Sequence, residues 1–301
     1  MAGSKRQLSD LVAQARRYGV RDEAVLEAVG RVPRQRFVPR RFAAAAFDDG
    51  PLPIGEGQTI SQPAMVAMMA EAARLSPDDR VLEVGTGSGY GALVLRALAG
   101  WVVTIERRSA LAEKARAALT EHELGDVTVV VGDGTLGWPD EAPYDAIIVT
   151  AAGPSPPPPL LEQLAPGGRL VIPIGARCGH QYLMRYTRRS RKDPPGGGSG
   201  SPGEEYSEAD NGLARPPTDT RRTGPPSDEY READNGLARP PADTRRTGPP
   251  SAEHREADNG LARPPADTRR TGSPGAEYRE ERLTAVRFVP LVGAYGYPGD
   301  K

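Results

Sequence analysis

Apolar positions along the chain follow two periods. Leu8, Leu11, Val12 and Ala15 recur at helical spacing, Tyr18-Gly19 breaks the run, and Asp22 is placed to cap a second helix carrying Val25, Leu26 and Val29. Phe37-Val38-Pro39 and the stretch from Phe42 to Phe47 are of mixed character. Asp48 to Ser61 then holds too many Gly and Pro for an element interior, yet is apolar enough to pack. It reads as an irregular loop, a candidate lid or substrate wall. Ser61 precedes a helix with Met65, Val66, Met69 and Ala72 on one face, ending near Leu75-Ser76-Pro77.

From Val81 the period switches repeatedly. Strands are expected at 81–84, 102–106, 127–131, 145–150 and 169–174, and helices at 90–99, 109–122 and 157–165, with Pro166-Gly167-Gly168 as a helix stop. Continuous apolar strands such as Ala146-Ile147-Ile148-Val149 imply a parallel α/β sheet covered on both faces. Gln181–Thr187 and Leu283–Val289 read as two further strands able to pair as a hairpin.

Between those two the pattern vanishes. From Arg188 to about Glu280 there is hardly a large apolar residue, and a unit EADNGLARPP(T/A)DTRRTG recurs with a period of 24 from Glu208, Glu232 and Glu256. Each copy offers one leucine (Leu213, Leu237, Leu261), too little apolar surface to offset the entropy of ordering it. The segment 189–280 is therefore expected to be a disordered insertion, leaving 1–188 plus 281–301 as one folded domain. Lengthening a hairpin connection from about 10 to about 95 residues adds only roughly 2 kcal/mol of closure entropy. Twelve of the chain's 35 glycines and 14 of its 31 prolines fall there, more than an average segment of that length would hold.

Composition narrows the function classes. A net charge of −1 gives no field that would gather nucleic acid or an anionic membrane, and no apolar run reaches the roughly 18 residues of a membrane span. The start MAGSKRQLSDLVAQARR lacks a signal-peptide core, and the single Cys178 fits a reducing compartment, so a cytoplasmic location is expected. His122, His180 and His254 are scattered, and Cys178-Gly179-His180 alone is no metal site. Arg188-Arg189-Ser190-Arg191-Lys192 reads as a solvated flank rather than a nucleic-acid patch.

The chemistry centres on Val81–Tyr90, VLEVGTGSGY. A short strand turns through Gly85, Gly87 and Gly89 into a helix, the cofactor-facing corner of a βαβ unit. Gly87-x-Gly89-x-x-Ala92, with Glu106 about 20 residues beyond, also satisfies the loose dinucleotide pattern. Against that reading, a frame begun at Gly85 would need a small residue where Tyr90 stands. Glu83, inside the strand, would repel a pyrophosphate but suit the amino group of an amino-acid cofactor. Asp133, in Gly132-Asp133-Gly134, is placed to accept an adenine amino group. Three acids along one crevice favour a cationic sulfonium, S-adenosyl-L-methionine, over a dianionic cofactor.

With these residues in view the chain resembles the protein-L-isoaspartate O-methyltransferase family over nearly all of 1–188 and 281–293. The resemblance rests on VLEVGTGSGY and on PLPIGEGQTISQP (Pro51–Pro63), GDG (Gly132–Gly134), APYDAIIVTAA (Ala142–Ala152), LAPGGRLVIPIG (Leu164–Gly175) and VRFVPLVG (Val286–Gly293). The GQTIS loop and the VRFVPL end are the family-specific parts. Departures are Phe47 for a frequent Tyr, Gly91 at a usually larger position, and the insertion; none falls on a residue with an expected chemical role.

The resemblance implies a doubly wound, mostly parallel sheet of seven strands, order 3-2-1-4-5-6-7 with one antiparallel strand, and methyl transfer to the α-carboxylate of L-isoaspartyl residues in aged proteins. It implies Ser61 as the catalytic serine. Gln58, Thr59 and Ile60 would line the pocket, with Glu83, Gly85, Gly87 and Gly89 at the methionine part. Glu106 would hold the ribose, and Asp133 with Gly134 the adenine. Ile54, Val289, Pro290 and Leu291 would wall the substrate groove. A monomer is expected. A serine before a helix is also an ordinary N-cap, a role compatible with binding a carboxylate. Two alternatives stay open: methylation of aspartate in one dedicated peptide partner, and a vestigial enzyme fold serving as a repeat-bearing binding protein. Each repeat carries Asn-Gly (Asn211-Gly212, Asn235-Gly236, Asn259-Gly260), where isoaspartate forms readily, so the insertion is itself a candidate substrate.

Overall fold

The structure, a computed structural model, describes residues 2–120, 127–190 and 277–299, with side chains from residue 9 onward. Helices α1 (Ala2–Arg17) and α2 (Glu23–Arg31) come first. Asp22 caps α2 as its sequence position suggests, its Oδ1 accepting from the amides of Ala24 and Val25. Short 3-10 turns follow at Arg34–Phe37, Arg40–Phe42 and Ala44–Phe47.

The stretch expected to be irregular is in part a β-hairpin, β1 (Leu52–Gly55) and β2 (Gln58–Ile60). Glu56 and Gly57 form its turn with φ of 53° and 66°, the double positive φ whose twist matches a two-residue hairpin. Helix α3 (Pro63–Ala73) follows, and its N-cap is Gln62 with no side-chain cap bond. Ser61 therefore does not cap it; Pro63 at the first helical position, with no N–H to satisfy, starts the helix instead.

Seven strands form the main sheet: β3 (Arg80–Val84), β4 (Trp101–Glu106), β5 (Val127–Val131), β6 (Tyr144–Val149), β7 (Leu164–Gly175), β8 (Gln181–Arg188) and β9 (Tyr278–Val286). Helices α4 (Tyr90–Arg96), α5 (Ser109–Thr120) and α6 (Pro158–Glu162) lie between them. The order is β5-β4-β3-β6-β7-β8-β9, with β8 antiparallel to both neighbours and the rest parallel. Counted within the sheet, that is 3-2-1-4-5-6-7 with one reversed strand, as expected.

The period of two along the central strands sends their side chains to opposite layers. Val81, Val102, Ala146 and Ile148 join the cluster under α1 to α4, while Leu82, Val103, Ile147 and Val149 join Tyr144, Leu160 and Leu164 on the other side. Glu83, Thr104 and Glu106 share the first face, with no water-facing side on which to rest. Several expected boundaries move; the helix at 90–99 ends at Arg96 and the last strand ends at Val286 rather than Val289. The helix at 157–165 shortens to α6, because Leu164 already pairs with Tyr144 in β7. The last strand begins at Tyr278, not Leu283, so Tyr278–Glu280 belong to the sheet and not to the insertion.

Arg185 joins these parts: its Nε donates to Glu281 at 2.8 Å and its Nη1 to the Ala72 carbonyl at 3.0 Å, tying β9 and the end of α3 to β8. Arg189 N donates to Glu277 O at 2.9 Å, so the chain leaves and rejoins the sheet at one point. The 24-residue repeats and the expected disorder of 189–280 fall almost wholly outside the described residues.

Candidate active site

A cavity of about 540 Å³ opens at the carboxyl ends of the parallel strands, within the roughly 300–1,000 Å³ typical of small-molecule sites. On its floor the register of β3 against β4 places Glu83 directly beside Thr104. Thr104 Oγ1 donates to Glu83 Oε2 at 2.6 Å and lies 2.7 Å from Thr86 Oγ1. Glu83 is 1% exposed. Burial pushes its carboxyl up to about 8; the Thr104 hydrogen bond opposes this, and the nearby Glu106 charge adds to it.

Glu106 ends β4 with both oxygens occupied. Oε2 accepts from Gly87 N at 2.9 Å and Oε1 from Arg108 N at 3.0 Å, which locks the glycine turn onto the neighbouring strand. Gly85 has φ of 104°, and a Cβ there would overlap Thr150 Oγ1, which donates to the Val84 and Gly85 carbonyls. Gly91 proves part of the site: it lines the cavity, and a Cβ there would overlap Glu83 Oε1. The Glu83 carboxylate thus rests on the first turn of α4, where a dinucleotide pyrophosphate would otherwise lie. That geometry disfavours the dinucleotide reading on electrostatic grounds.

The opposite wall comes from two segments far apart in sequence. Hairpin residues Gln58, Thr59 and Ile60, with Ser61, face the cavity. So do Val289, Pro290 and Leu291, held along the end of β6 where Ala152 N donates to Val289 O and Leu291 N to Ala152 O, both at 2.8 Å. Gly85, Gly87 and Gly134 line it as well.

Three expected residues do not. Ile54 is buried in the core, with its Cδ1 beneath Gly87. Gly89 serves packing: α5 presses Leu119 and Ala115 against it. The Asp133 carboxylate is taken up by protein groups, Oδ1 accepting from Thr135 N and Oγ1 and Oδ2 from Ala294 N. The crevice therefore carries two buried carboxylates, Glu83 and Glu106, rather than the three expected. A third acid at its rim is Glu56, ion-paired with Arg108 at 3.5 Å.

Sequence reasoning missed Thr104, Thr150, Arg108 and Arg34. The Thr104 role follows once β3 and β4 are aligned, since Glu83 and Thr104 then pair; Arg34 has no such signal. Among the described residues no group of three or more His, Cys, Asp or Glu is placed to hold a metal, and no helix is long and apolar enough to cross a membrane.

A doubly wound sheet whose first strand passes through a glycine corner into a helix, with paired acids at the strand ends, defines an α/β protein that takes a nucleotide-type cofactor. Comparison with known proteins sharpens this. The chain belongs to the protein-L-isoaspartate(D-aspartate) O-methyltransferase family, whose profile matches residues 6–194. It is 56% identical over 170 residues to a Protochlamydia amoebophila protein-L-isoaspartate O-methyltransferase, covering 56% of this chain and 81% of that one. It is 58% identical over 171 residues to one from Methylorubrum populi, covering 57% and 80%.

A solved structure of a protein-L-isoaspartate O-methyltransferase superposes with a TM-score of 0.55 at 29% identity, and this chain spans only 60% of its length, with 60% of this chain covered. A Plasmodium falciparum beta-aspartate methyltransferase in complex with S-adenosyl-L-homocysteine shares the fold, with a TM-score of 0.51 at 23% identity, covering 60% of this chain and 88% of that one.

Proposed function

We propose that this chain methylates the α-carboxylate of L-isoaspartyl residues in aged proteins and peptides, the step that begins their repair through a succinimide. The observation that carries the reading is the cavity itself. Its floor holds Glu83 and Glu106 at the glycine corner, and its wall is built from the family-specific GQTIS and VRFVPL segments. The donor set fits S-adenosyl-L-methionine: a buried carboxylate for an ammonium and a second for ribose hydroxyls. When bound, that cofactor supplies an electrophilic sulfonium methyl.

Glu83 pairs with the amino-acid end, Glu106 with the ribose, and Gly134 packs at the adenine; Asp133 orders the turn beside it. Gln58, Thr59 and Ile60 enclose the cofactor, Ser61 orients the substrate carboxylate, and Val289-Pro290-Leu291 hold the peptide. A free carboxylate is ionised at neutral pH, with a pKa of about 3.5–4, so its attack needs no general base. The work of these residues is alignment and exclusion of water.

The finer reading is a cytoplasmic monomer that also accepts isoaspartate formed at Asn211, Asn235 and Asn259. Aging the purified chain at mildly alkaline pH, adding labelled cofactor and mapping the label tests this; absence of label from 208–280 refutes self-methylation. The main reading is tested by assaying an isoaspartyl hexapeptide. Failure of that generic peptide as a substrate would favour a dedicated peptide partner instead.

A further inference from the structure

We infer that Arg34 is the positioning residue for the catalytic wall, acting through the main chain of Ser61; the inference rests on the reading of Ser61 given above. Arg34 follows α2 in the 3-10 turn Arg34–Phe37 and is fully buried. Among the described residues no carboxylate pairs with it. Its Nη1 donates to the Ala46 carbonyl at 2.7 Å, and its Nη2 donates to both Gly50 and Ser61 carbonyls at 2.9 Å.

Gly50 and Ser61 are the two ends of the segment that contains β1 and β2. One nitrogen therefore clamps the base of the hairpin whose second strand forms the cavity wall. A two-stranded hairpin is marginal by itself, and this one is anchored to the core through Ile54 and Ile60. Its tip is held by the Glu56–Arg108 pair, both side chains more than one-third exposed, which is a weak tether. The rigid end is the base, where Ser61 sits.

The buried guanidinium also lies 6.0 Å from the ring centroid of Tyr90, a fully buried residue of the glycine corner that lines the cavity. Arg34 thus links the cofactor corner to the substrate wall. Burying a cation whose hydrogen-bond partners are neutral carbonyls, with only the nearby Asp49 and Asp48 charges to offset desolvation, is a costly way to hold a loop. An apolar side chain of similar volume avoids that desolvation. What the planar fork supplies, and an apolar side chain does not, is a fixed distance among three carbonyls.

The test is a double-mutant cycle in the full chain between Arg34→Lys and Ser61→Ala. It is read as kcat/KM for an isoaspartyl peptide at a temperature where both variants remain folded. Lysine keeps the charge but has one nitrogen and cannot span the three acceptors. Arg34→Lys is expected to lower kcat/KM about 10- to 100-fold, the scale of a small misplacement of a reacting group. In the Ser61→Ala background the same change is expected to cost no more than about twofold, because the group it positions is gone.

Equal losses in both backgrounds would overturn the inference, since Arg34 would then act structurally or through another residue. So would wild-type activity in a folded Arg34→Lys chain. If Ser61→Ala alone has no effect, it is the Ser61 reading that falls, a separate result. Should Arg34→Lys not fold, hydrogen exchange on the wild-type chain decides. Amides of 46–62 protected as strongly as those of β3 support the clamp, and protection as weak as at the chain ends overturns it.

Discussion

If Glu83 pairs with the cofactor's ammonium, binding becomes a protonation-linked event. In the free chain its carboxyl is raised to about 8 by burial, against the pull of the Thr104 hydrogen bond and with help from the Glu106 charge. At pH 7 only about one chain in ten then has Glu83 ionised, and at pH 6 about one in a hundred. If the ionised carboxylate is what meets the ammonium, S-adenosyl-L-homocysteine should bind about ninefold more tightly at pH 7 than at pH 6, a gain of about 1.3 kcal/mol. Near pH 7 about 0.9 proton should leave per ligand bound.

Titration calorimetry in phosphate and in Tris, repeated from pH 6 to 7.5, reads both quantities, because the buffers differ in ionisation enthalpy. Glu83→Gln should weaken binding and flatten the profile. The free chain should respond in the opposite sense. A carboxyl whose folded pKa exceeds its unfolded value stabilises the fold fully below about pH 4.5, and that stability is lost as pH rises through about 8, by about 5 kcal/mol at most. An affinity constant across pH 6–7.5 with no buffer dependence would refute the assignment of Glu83.

Further changes test the surroundings. Thr104→Val removes the hydroxyl that favours the ionised form, so the affinity profile should move to higher pH, visible in the same calorimetry. Gly91→Ala puts a Cβ onto Glu83 Oε1 and should cut ligand affinity about tenfold or more, read beside an unfolding curve to separate affinity from stability. Leu82→Ala, at a fully buried position in the middle of β3, should cost about 2–5 kcal/mol in urea unfolding. Arg185→Met leaves Glu281 with only the exposed Arg279 as partner and frees the Ala72 carbonyl, so stability should fall by about 1–3 kcal/mol while peptide KM stays unchanged.

The sheet was legible because its strands are continuous apolar runs bounded by Gly, Pro or charge, and its alternation with helices leaves few topologies. The hairpin was not. Pro53, Gly55 and Gly57 look like loop punctuation, and only the positive φ at Glu56 and Gly57 shows that they build a tight turn. Gly85, Gly87, Glu83 and Glu106 stand at the cavity because the strand–glycine–helix corner is local in sequence. Asp133 is also an Asx cap, with Thr135 two residues on, and in the structure its carboxylate accepts from Thr135 and Ala294.

Arg34 lay hidden in the basic run RQRF, which resembles a solvated turn. Its three partners are 12, 16 and 27 residues away and meet only when the chain folds. Ser61 lines the cavity, but the helix beginning beside it is started by Pro63 and not by a serine cap.

The most direct test is methyl transfer from labelled S-adenosyl-L-methionine to an isoaspartyl peptide and to its normal aspartyl twin, side by side with the purified chain. Base-labile label in the isoaspartyl peptide alone is the predicted result. Equal labelling of both, or labelling of neither by a chain that binds S-adenosyl-L-homocysteine, would contradict the assigned activity.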